Sequence, residues 1–165
     1  MKNIALIGMS GCGKTTVGRR VAELLNMQFI DADAEIEREE GVKISEIFEK
    51  RGEAEFRRLE REKTAELAKL QNVVISTGGG VILDERNIEA LRKTSKIVFL
   101  DRSPDKILEQ LDNSNRPMLK DKSKFYKIYE ERIALYRKYA DLIVDGNGTI
   151  DEVAGEIVNR KEITS

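Results

Sequence analysis

Short apolar stretches alternate along this chain with longer segments in which apolar side chains recur at helical spacing. Four of the short stretches are rich in β-branched residues and almost uninterrupted, and Met27–Ile30 is a less apolar fifth. The four are Ile4–Ile7, Val73–Ile75, Ile97–Leu100 and Leu142–Val144. Continuous rather than alternating apolarity is typical of strands buried on both faces of a parallel sheet. The pattern therefore predicts a five-stranded parallel sheet.

The segments between these strands carry the helical period. In the second of them we expect Leu59, Ala65 and Leu67 to form the buried stripe. Pro104 suits the first turn of a helix, with Ser103 as its N-cap. Strands that alternate with helices indicate βαβ units and a doubly wound α/β fold. The predicted helices are Thr16–Leu25, Ala54–Leu70, Asp84–Lys93, Pro104–Leu111, Phe125–Tyr139 and Ile150–Val158.

Two regions interrupt the alternation of strand and helix. Residues 33–70 have helical character without a strand, which predicts a helical insertion over the sheet. Residues 113–124, with the sequence NSNRPMLKDKSK, are polar and have the length of a lid over a binding site. No linker or repeat divides the chain, so we expect residues 1–165 to form one domain.

Composition narrows the class of protein. The 165 residues include 29 basic and 30 acidic side chains, for a net charge of −1, so no overall field points to a nucleic-acid partner. A single cysteine fits a reducing compartment, and no apolar run is long enough for a signal peptide or a membrane span. We expect a cytoplasmic monomer. Because histidine is absent, any general base or metal ligand must be another residue type.

The first strand runs directly into a glycine-rich segment, GMSGCGKT, which fits the pattern G-x-x-x-x-G-K-[ST]. Between a strand and a helix, this pattern lets backbone N–H groups converge on the phosphates of a nucleotide. Lys14 is placed to reach the β- and γ-phosphates, and the Thr15 hydroxyl to ligate Mg²⁺. The small side chain of Cys12 is interpreted as a filler, with a redox role as the alternative. The predicted ATP-binding residues here are Gly11, Cys12, Gly13, Lys14, Thr15 and Thr16.

A phosphate-binding loop alone does not distinguish GTPases, nucleotide kinases and mechanical ATPases. Asp31 and Asp33 follow the second strand, beside the place where the phosphates would lie. In an extended chain they point the same way, so one could hold Mg²⁺ through water while the other accepts a hydroxyl proton. We expect both to be ionised at neutral pH. Helix capping by Asp33 is the alternative.

Three further clusters have both a structural and a functional interpretation. In EAEFRRLERE, either Arg57 or Arg58 could turn inward from a solvated helix. Three glycines in ISTGGGVI indicate a close approach of the backbone to another group, or only a tight turn. In EERIALYRKYAD, Arg132 and Tyr136 share a helical face, and core packing is enough to explain the tyrosine.

Together these motifs resemble the shikimate kinase family. The similarity extends over about residues 3–160, and its motifs occur in the family's order and spacing. The phosphate-binding loop is generic, but the combination of the others is specific. The matching pieces are GMSGCGKT, FIDADAEIE, Phe56-Arg57, TGGG from Thr77, RPML from Arg116 and ERIALYRKYAD.

The resemblance implies a P-loop kinase fold and transfer of the ATP γ-phosphoryl group to the 3-hydroxyl of shikimate, a step of chorismate and aromatic amino-acid biosynthesis. Its partners would be ATP and shikimate, with Mg²⁺ as cofactor, and residues 33–70 would be the shikimate-binding insertion. The implied catalytic residues are Lys14, Asp33 and Arg116, with Arg116 also at ATP. The implied shikimate-binding residues are Asp33, Arg57, Gly78, Gly79, Gly80 and Arg132, and the metal residues are Thr15 and Asp31.

One segment departs from the family pattern. Many members have a basic residue and a proline after the last strand, whereas this chain has VDGNGTIDEV. We therefore expect backbone groups around Gly146–Thr149 to contact adenine. Gluconate kinase is an alternative that leaves the acceptor motifs unexplained, and a nucleoside monophosphate kinase would need more arginines in the lid. A sensor domain of a transcription regulator would need a DNA-binding domain, for which 165 residues leave no room.

Overall fold

The computed structural model describes residues 1–113 and 122–164. Within these ranges, five strands form one parallel sheet in the order β2-β3-β1-β4-β5. The predicted doubly wound α/β fold is confirmed. The strands are β1 (Asn3–Ile7), β2 (Gln28–Asp31), β3 (Val73–Ser76), β4 (Ser95–Asp101) and β5 (Leu142–Asp145).

Helices connect the strands as predicted. α1 packs with α8, whereas α5 and α7 contact β4, so the helices form two groups around the sheet. The short α9 and a 3₁₀ turn at Val81–Leu83 were not predicted. The helices are α1 (Lys14–Leu25), α2 (Ala32–Glu40), α3 (Ile44–Arg51), α4 (Glu53–Leu67), α5 (Glu85–Arg92), α6 (Pro104–Asn113), α7 (Lys122–Tyr139), α8 (Ile150–Val158) and α9 (Lys161–Thr164).

The segment expected to form a lid, residues 113–124, is only partly described. Helix α7 already begins at Lys122, so the predicted end of this segment is wrong. Arg116 lies outside the described residues. Helix α6 precedes this segment, and its predicted N-cap is confirmed, because the Lys106 N–H donates to the Ser103 hydroxyl oxygen at 3.2 Å.

Burial of the strands depends on their place in the sheet. The central strands β1 and β3 are buried throughout, as the continuous apolar pattern predicted. The edge strand β5 instead alternates, and Ile143 is 45% exposed. For β5 the prediction of burial on both faces is therefore wrong, because an edge strand has only one strand neighbour and less cover.

The helical insertion has apolar contacts of its own. Ile36 of α2, Ile47 of α3 and Phe56 of α4 form a cluster that is separate from the main core around the sheet. The stripe expected on α4 is partly wrong, since Ala65 is exposed while the charged Glu60 and Lys63 are buried. These buried charges are tolerated because each has an ionic partner.

The sheet topology determines where a ligand can bind. The chain adds strands on one side of β1 first and on the other side afterwards, so the topology switches direction at β1. Ligands of open α/β sheets bind outside the carboxyl ends of the strands at such a switch point. The segments that follow β1, β2 and β3 meet at this edge, and they carry the predicted site residues.

Candidate active site

The glycine-rich segment, residues 8–15, joins β1 to α1, which is the context that its motif requires. We call this segment the phosphate loop. Gly11 and Gly13 have φ angles of 84° and 100°, in the left-handed region that glycine adopts without steric cost. Helix α1 then begins at Lys14, so its free N–H groups and the positive end of its dipole face the loop. This geometry suits a phosphate group.

Lys14 lies against the loop itself. Its buried ammonium donates to the carbonyl oxygens of Gly8 at 2.6 Å and Met9 at 2.9 Å. The Cys12 sulfur lies 3.7 Å from the same nitrogen, and the cysteine side chain is buried in the core, as expected for a filler. The contact of Lys14 with phosphate stays a prediction.

Thr15 and Asp31, the two residues expected at the metal, contact each other. The Thr15 hydroxyl donates to Asp31 Oδ2 at 2.9 Å, while Asp31 Oδ1 accepts from the Ala34 N–H at 3.1 Å. Asp31 therefore caps α2, so the capping interpretation belongs to Asp31 and not to Asp33. A hydroxyl and a carboxylate are hard oxygen donors of the kind Mg²⁺ uses beside water and phosphate, so the pair fits this ion.

Asp33 lies in the first turn of α2, so the extended geometry assumed for the two aspartates is wrong. Both carboxylates nevertheless line the same cleft. Burial, together with the nearby carboxylates of Glu60 and Asp31, raises the pKa of Asp33 to about 6, and Lys14 opposes this only in part. Asp33 is therefore a stronger base than an ordinary aspartate while remaining mostly ionised at neutral pH.

The three glycines form a turn that begins two residues after the last residue of β3. The Val81 N–H donates to the Gly78 carbonyl oxygen at 3.1 Å, and we call residues 78–81 the glycine turn. A Cβ atom on Gly78 would lie 2.8 Å from an oxygen of Asp33 and 3.0 Å from an oxygen of Glu60. The close backbone approach inferred from the glycines is confirmed.

The other two glycines are equally crowded. A Cβ on Gly79 would lie 2.9 Å from the Ser10 hydroxyl oxygen, and one on Gly80 would overlap the Arg57 guanidinium. The glycine turn thus touches the phosphate loop on one side and the charged side chains of the insertion on the other.

The structure distinguishes the two candidate arginines of α4. Arg57 turns inward, with a side chain 21% exposed, and its Nη1 donates to Glu60 Oε1 at 2.9 Å. Arg58 is 46% exposed and pairs with acidic residues of its own helix. Sequence reasoning missed Glu60, although its spacing of three residues from Arg57 was a usable signal.

Arg132 approaches the glycine turn from α7. Its Nη1 lies 3.6 Å from the position that a Cβ on Gly79 would take. Arg132 also lowers the pKa of Glu60, although burial leaves that pKa raised overall. Two guanidinium groups, from α4 and α7, therefore flank the same turn.

Three buried polar atoms around the turn have no hydrogen-bond partner within the described residues. They are Asp33 Oδ1, Glu60 Oε2 and Arg57 Nε. Such atoms are costly to bury unless they are paired. Their concentration at one place favours a polar ligand with several hydroxyl or carboxylate groups.

One cleft of about 440 Å³ joins the two halves of the site. It is lined by the phosphate loop, by both aspartates and by the start of the glycine turn, so it brings together most of the predicted residues. The predicted residues that line it are Gly11, Gly13, Lys14, Thr15, Thr16, Asp31, Asp33, Gly78 and Gly79.

A second cavity of about 360 Å³ lies beside the phosphate loop and includes the backbone expected to contact adenine, with Gly146, Gly148 and Thr149 in its lining. It also contains Arg102, whose Nη1 donates to the Gly146 carbonyl oxygen at 2.8 Å. Sequence reasoning missed this arginine because it follows β4 and not the last strand.

A model of the shikimate kinase family matches residues 10–162. The chain belongs to the shikimate kinase family. Its activity is therefore the ATP-dependent phosphorylation of shikimate, in aromatic biosynthesis.

Relatives with this activity are similar over nearly the whole chain. A curated shikimate kinase of Clostridium botulinum (strain Eklund 17B / Type B) is 47% identical over 159 residues, which cover 95% of this chain and 96% of the relative. A solved shikimate kinase from Acinetobacter baumannii, in complex with shikimate, is 38% identical with a TM-score of 0.88, and the match covers 96% of this chain and 91% of that one.

A gluconokinase from Sinorhizobium meliloti 1021 has the same fold, with a TM-score of 0.59 over 94% of this chain and 88% of that chain. Its sequence identity is only 19%, so it shares the fold of this chain and indicates nothing about the acceptor.

The raised pKa of Asp33 leads to a stability prediction. Its carboxyl has a pKa of about 6 in the fold and 3.8 ordinarily, so ionisation destabilises the folded protein. This destabilisation is absent below about pH 4 and complete above about pH 6. Without Mg²⁺, Asp33→Asn should therefore raise the free energy of unfolding at pH 7.5 by about 1–3 kcal/mol, and by little at pH 4.

Urea unfolding at both pH values measures this difference. Glu49→Gln, at an exposed position of α3, is the matched control and should change little at either pH. An Asp33→Asn variant less stable than the wild type at pH 7.5 would contradict the assigned environment.

Proposed function

We propose that this chain binds shikimate between α2, α4, α7 and the glycine turn, and transfers to its 3-hydroxyl the γ-phosphoryl group of ATP held by the phosphate loop. The observation that carries this proposal is the single cleft shared by the phosphate loop, Asp33 and the glycine turn. Transfer requires donor and acceptor to be held side by side, and this is supported by residues of both sides lining one cleft.

On the acceptor side, Arg57 and Arg132 would bind the carboxylate of shikimate. A guanidinium fork matches a planar carboxylate, and two forks at one turn define its orientation. Glu60 is hydrogen-bonded to Arg57 Nη1 and limits the positions that this guanidinium can take. The insertion, residues 33–70, would thus serve as the shikimate-binding part of one domain.

Asp33 would accept the hydroxyl proton. Its Oδ1 is without a hydrogen-bond partner among the described residues, and its pKa of about 6 suits a base that works near neutral pH. Asp33 also binds shikimate in this arrangement, since a base must lie within hydrogen-bond distance of the proton it takes.

On the donor side, Lys14 and the N–H groups of the loop would hold the phosphates. Thr15 and Asp31 would hold Mg²⁺, which when bound neutralises negative charge on the phosphates. Their mutual hydrogen bond keeps both oxygens beside the N-terminus of α1. Arg116, which lies outside the described residues, keeps its proposed role at the transferring phosphate.

The base of ATP would lie in the cavity lined by Gly146, Gly148 and Thr149. Arg102 gives this cavity the cationic group that the loop after β5 lacks. A planar guanidinium can stack on the face of a purine, so Arg102 compensates for the departure of that loop from the family pattern.

We also propose that the enzyme acts as a monomer in the cytoplasm. A monomer is supported by the fact that a single chain supplies the phosphate loop, Asp33 and the glycine turn to one cleft. Among helices in the described ranges, none has both the length and the apolarity needed to cross a membrane.

A coupled assay of ADP release tests the acceptor. With ATP and Mg²⁺ present, shikimate should stimulate release, whereas gluconate and AMP should leave it near the background. Gluconate has a carboxylate, but its open chain does not fix a hydroxyl beside Asp33 as a ring does, and AMP has a phosphate in place of the carboxylate. Faster turnover with gluconate or AMP than with shikimate would overturn the proposal.

The two neighbouring arginines of α4 provide a matched pair of variants. Arg57→Ala removes a charged hydrogen-bond partner of the substrate and should weaken shikimate binding by about 30- to 150-fold, equivalent to roughly 2–3 kcal/mol. Arg58→Ala removes only exposed ion pairs and should leave binding within about twofold.

Titration calorimetry with shikimate measures both affinities, and titration with ATP checks that the nucleotide side is intact. Equal shikimate affinities of the Arg57 and Arg58 variants would contradict the binding role of Arg57 and favour the interpretation of both arginines as solvated side chains of α4.

A further inference from the structure

Tyr136 is a buried side chain that the proposed chemistry does not use. It lies on α7, its side chain is completely buried, and its ring stacks on Phe99 of β4 with centroids 5.0 Å apart. The hydroxyl donates to the Gly79 carbonyl oxygen at 2.6 Å and lies 3.7 Å from the Met9 sulfur. Tyr136 therefore touches the glycine turn, the phosphate loop and the sheet at once.

Core packing does not require this hydroxyl. Phenylalanine would fill nearly the same volume and stack equally on Phe99, without a polar atom that needs a partner. Burial raises the pKa of Tyr136 to about 12, so the hydroxyl remains a donor at neutral pH. Besides the Met9 sulfur, the hydroxyl interacts with two groups of the site, the Gly79 carbonyl oxygen and the Arg132 guanidinium, which opposes the rise of the Tyr136 pKa only in part.

That carbonyl lies in the middle of the glycine turn. Gly79 has no side chain through which its orientation could be fixed, and glycine peptides rotate more freely than others. Because the peptide group is planar and trans, holding the Gly79 carbonyl also directs the Gly80 N–H to the opposite side. The same hydrogen bond keeps Gly79 close to Ser10 of the phosphate loop and to Arg132.

We infer that Tyr136 is a positioning residue for the acceptor side of the site, whose hydroxyl fixes the glycine turn against Arg57, Arg132 and the phosphate loop. This inference rests on the proposed shikimate site and adds a residue that touches neither substrate. Arg132 lies four residues earlier on the same face of α7, so one helix supplies both a substrate-binding group and the group that aligns the turn beside it.

Tyr136→Phe removes only the hydroxyl. We expect the KM for shikimate to rise about 3- to 10-fold, the size of one neutral hydrogen bond, while the KM for ATP stays within about twofold. Tyr139→Phe is the matched control, since Tyr139 is also buried on α7 but lies against Arg92 and Lys138. Both of its KM values should equal those of the wild type.

A general loss of structure would change both KM values or would appear in the control as well. An unchanged KM for shikimate in Tyr136→Phe, or equal rises in both KM values, would overturn the inference.

A measurement without substrate separates this inference from the proposed function. In NMR spectra of the ligand-free protein, Tyr136→Phe should shift the amide signals of Gly79 and Gly80, and Tyr139→Phe should leave them in place. Unshifted signals would overturn the positioning role whichever acceptor the enzyme uses. Wild-type protein that fails to phosphorylate shikimate would instead overturn the proposed function.

Discussion

The site depends on how closely the backbone of the glycine turn approaches charged side chains. No Cβ atom fits at Gly78 or Gly80 without meeting the carboxylates of Asp33 and Glu60 or the guanidinium of Arg57. The turn follows β3 after one residue, Thr77, so the sheet holds it beside the phosphate loop that follows β1. Two neighbouring parallel strands thus bring the donor and acceptor sides together. The glycines, which have no side chains, let the phosphate loop and the charged side chains of the insertion approach the turn closely.

The charged side chains around the turn are only partly satisfied by hydrogen bonds to one another. Glu60 is bonded to Arg57 through one oxygen, while its other oxygen, Asp33 Oδ1 and Arg57 Nε have no partner among the described residues. Burial of these groups destabilises the fold, and a polyhydroxylated acid would satisfy them. The energy gained on binding such an acid and the raised pKa of Asp33 therefore have the same cause, which is the partial burial of Asp33, Arg57 and Glu60.

Local patterns predicted the sheet, the helices and the phosphate loop, because apolar runs and glycine spacing are properties of short segments. They failed where the outcome depends on distant neighbours. Ala65 is exposed while Glu60 and Lys63 are buried, since charged partners as well as apolar contacts determine the inner face of α4. Arg102 was missed because the cavity that it lines combines residues from four separate segments. The residues of α4 alone left the choice between Arg57 and Arg58 open; the family resemblance pointed to Arg57, and the fold turns Arg57 inward.

The central claim is that Arg57 binds shikimate from a position that its guanidinium can occupy only because Gly80 has no side chain. Titration calorimetry of shikimate with Gly80→Ala tests it most directly, because the added methyl group must displace the guanidinium. Gly155→Ala, in α8 with open space around the glycine, is the control for an added methyl group. The account predicts that Gly80→Ala weakens binding about tenfold or more while Gly155→Ala binds like the wild type. Shikimate binding of wild-type strength by Gly80→Ala would contradict it.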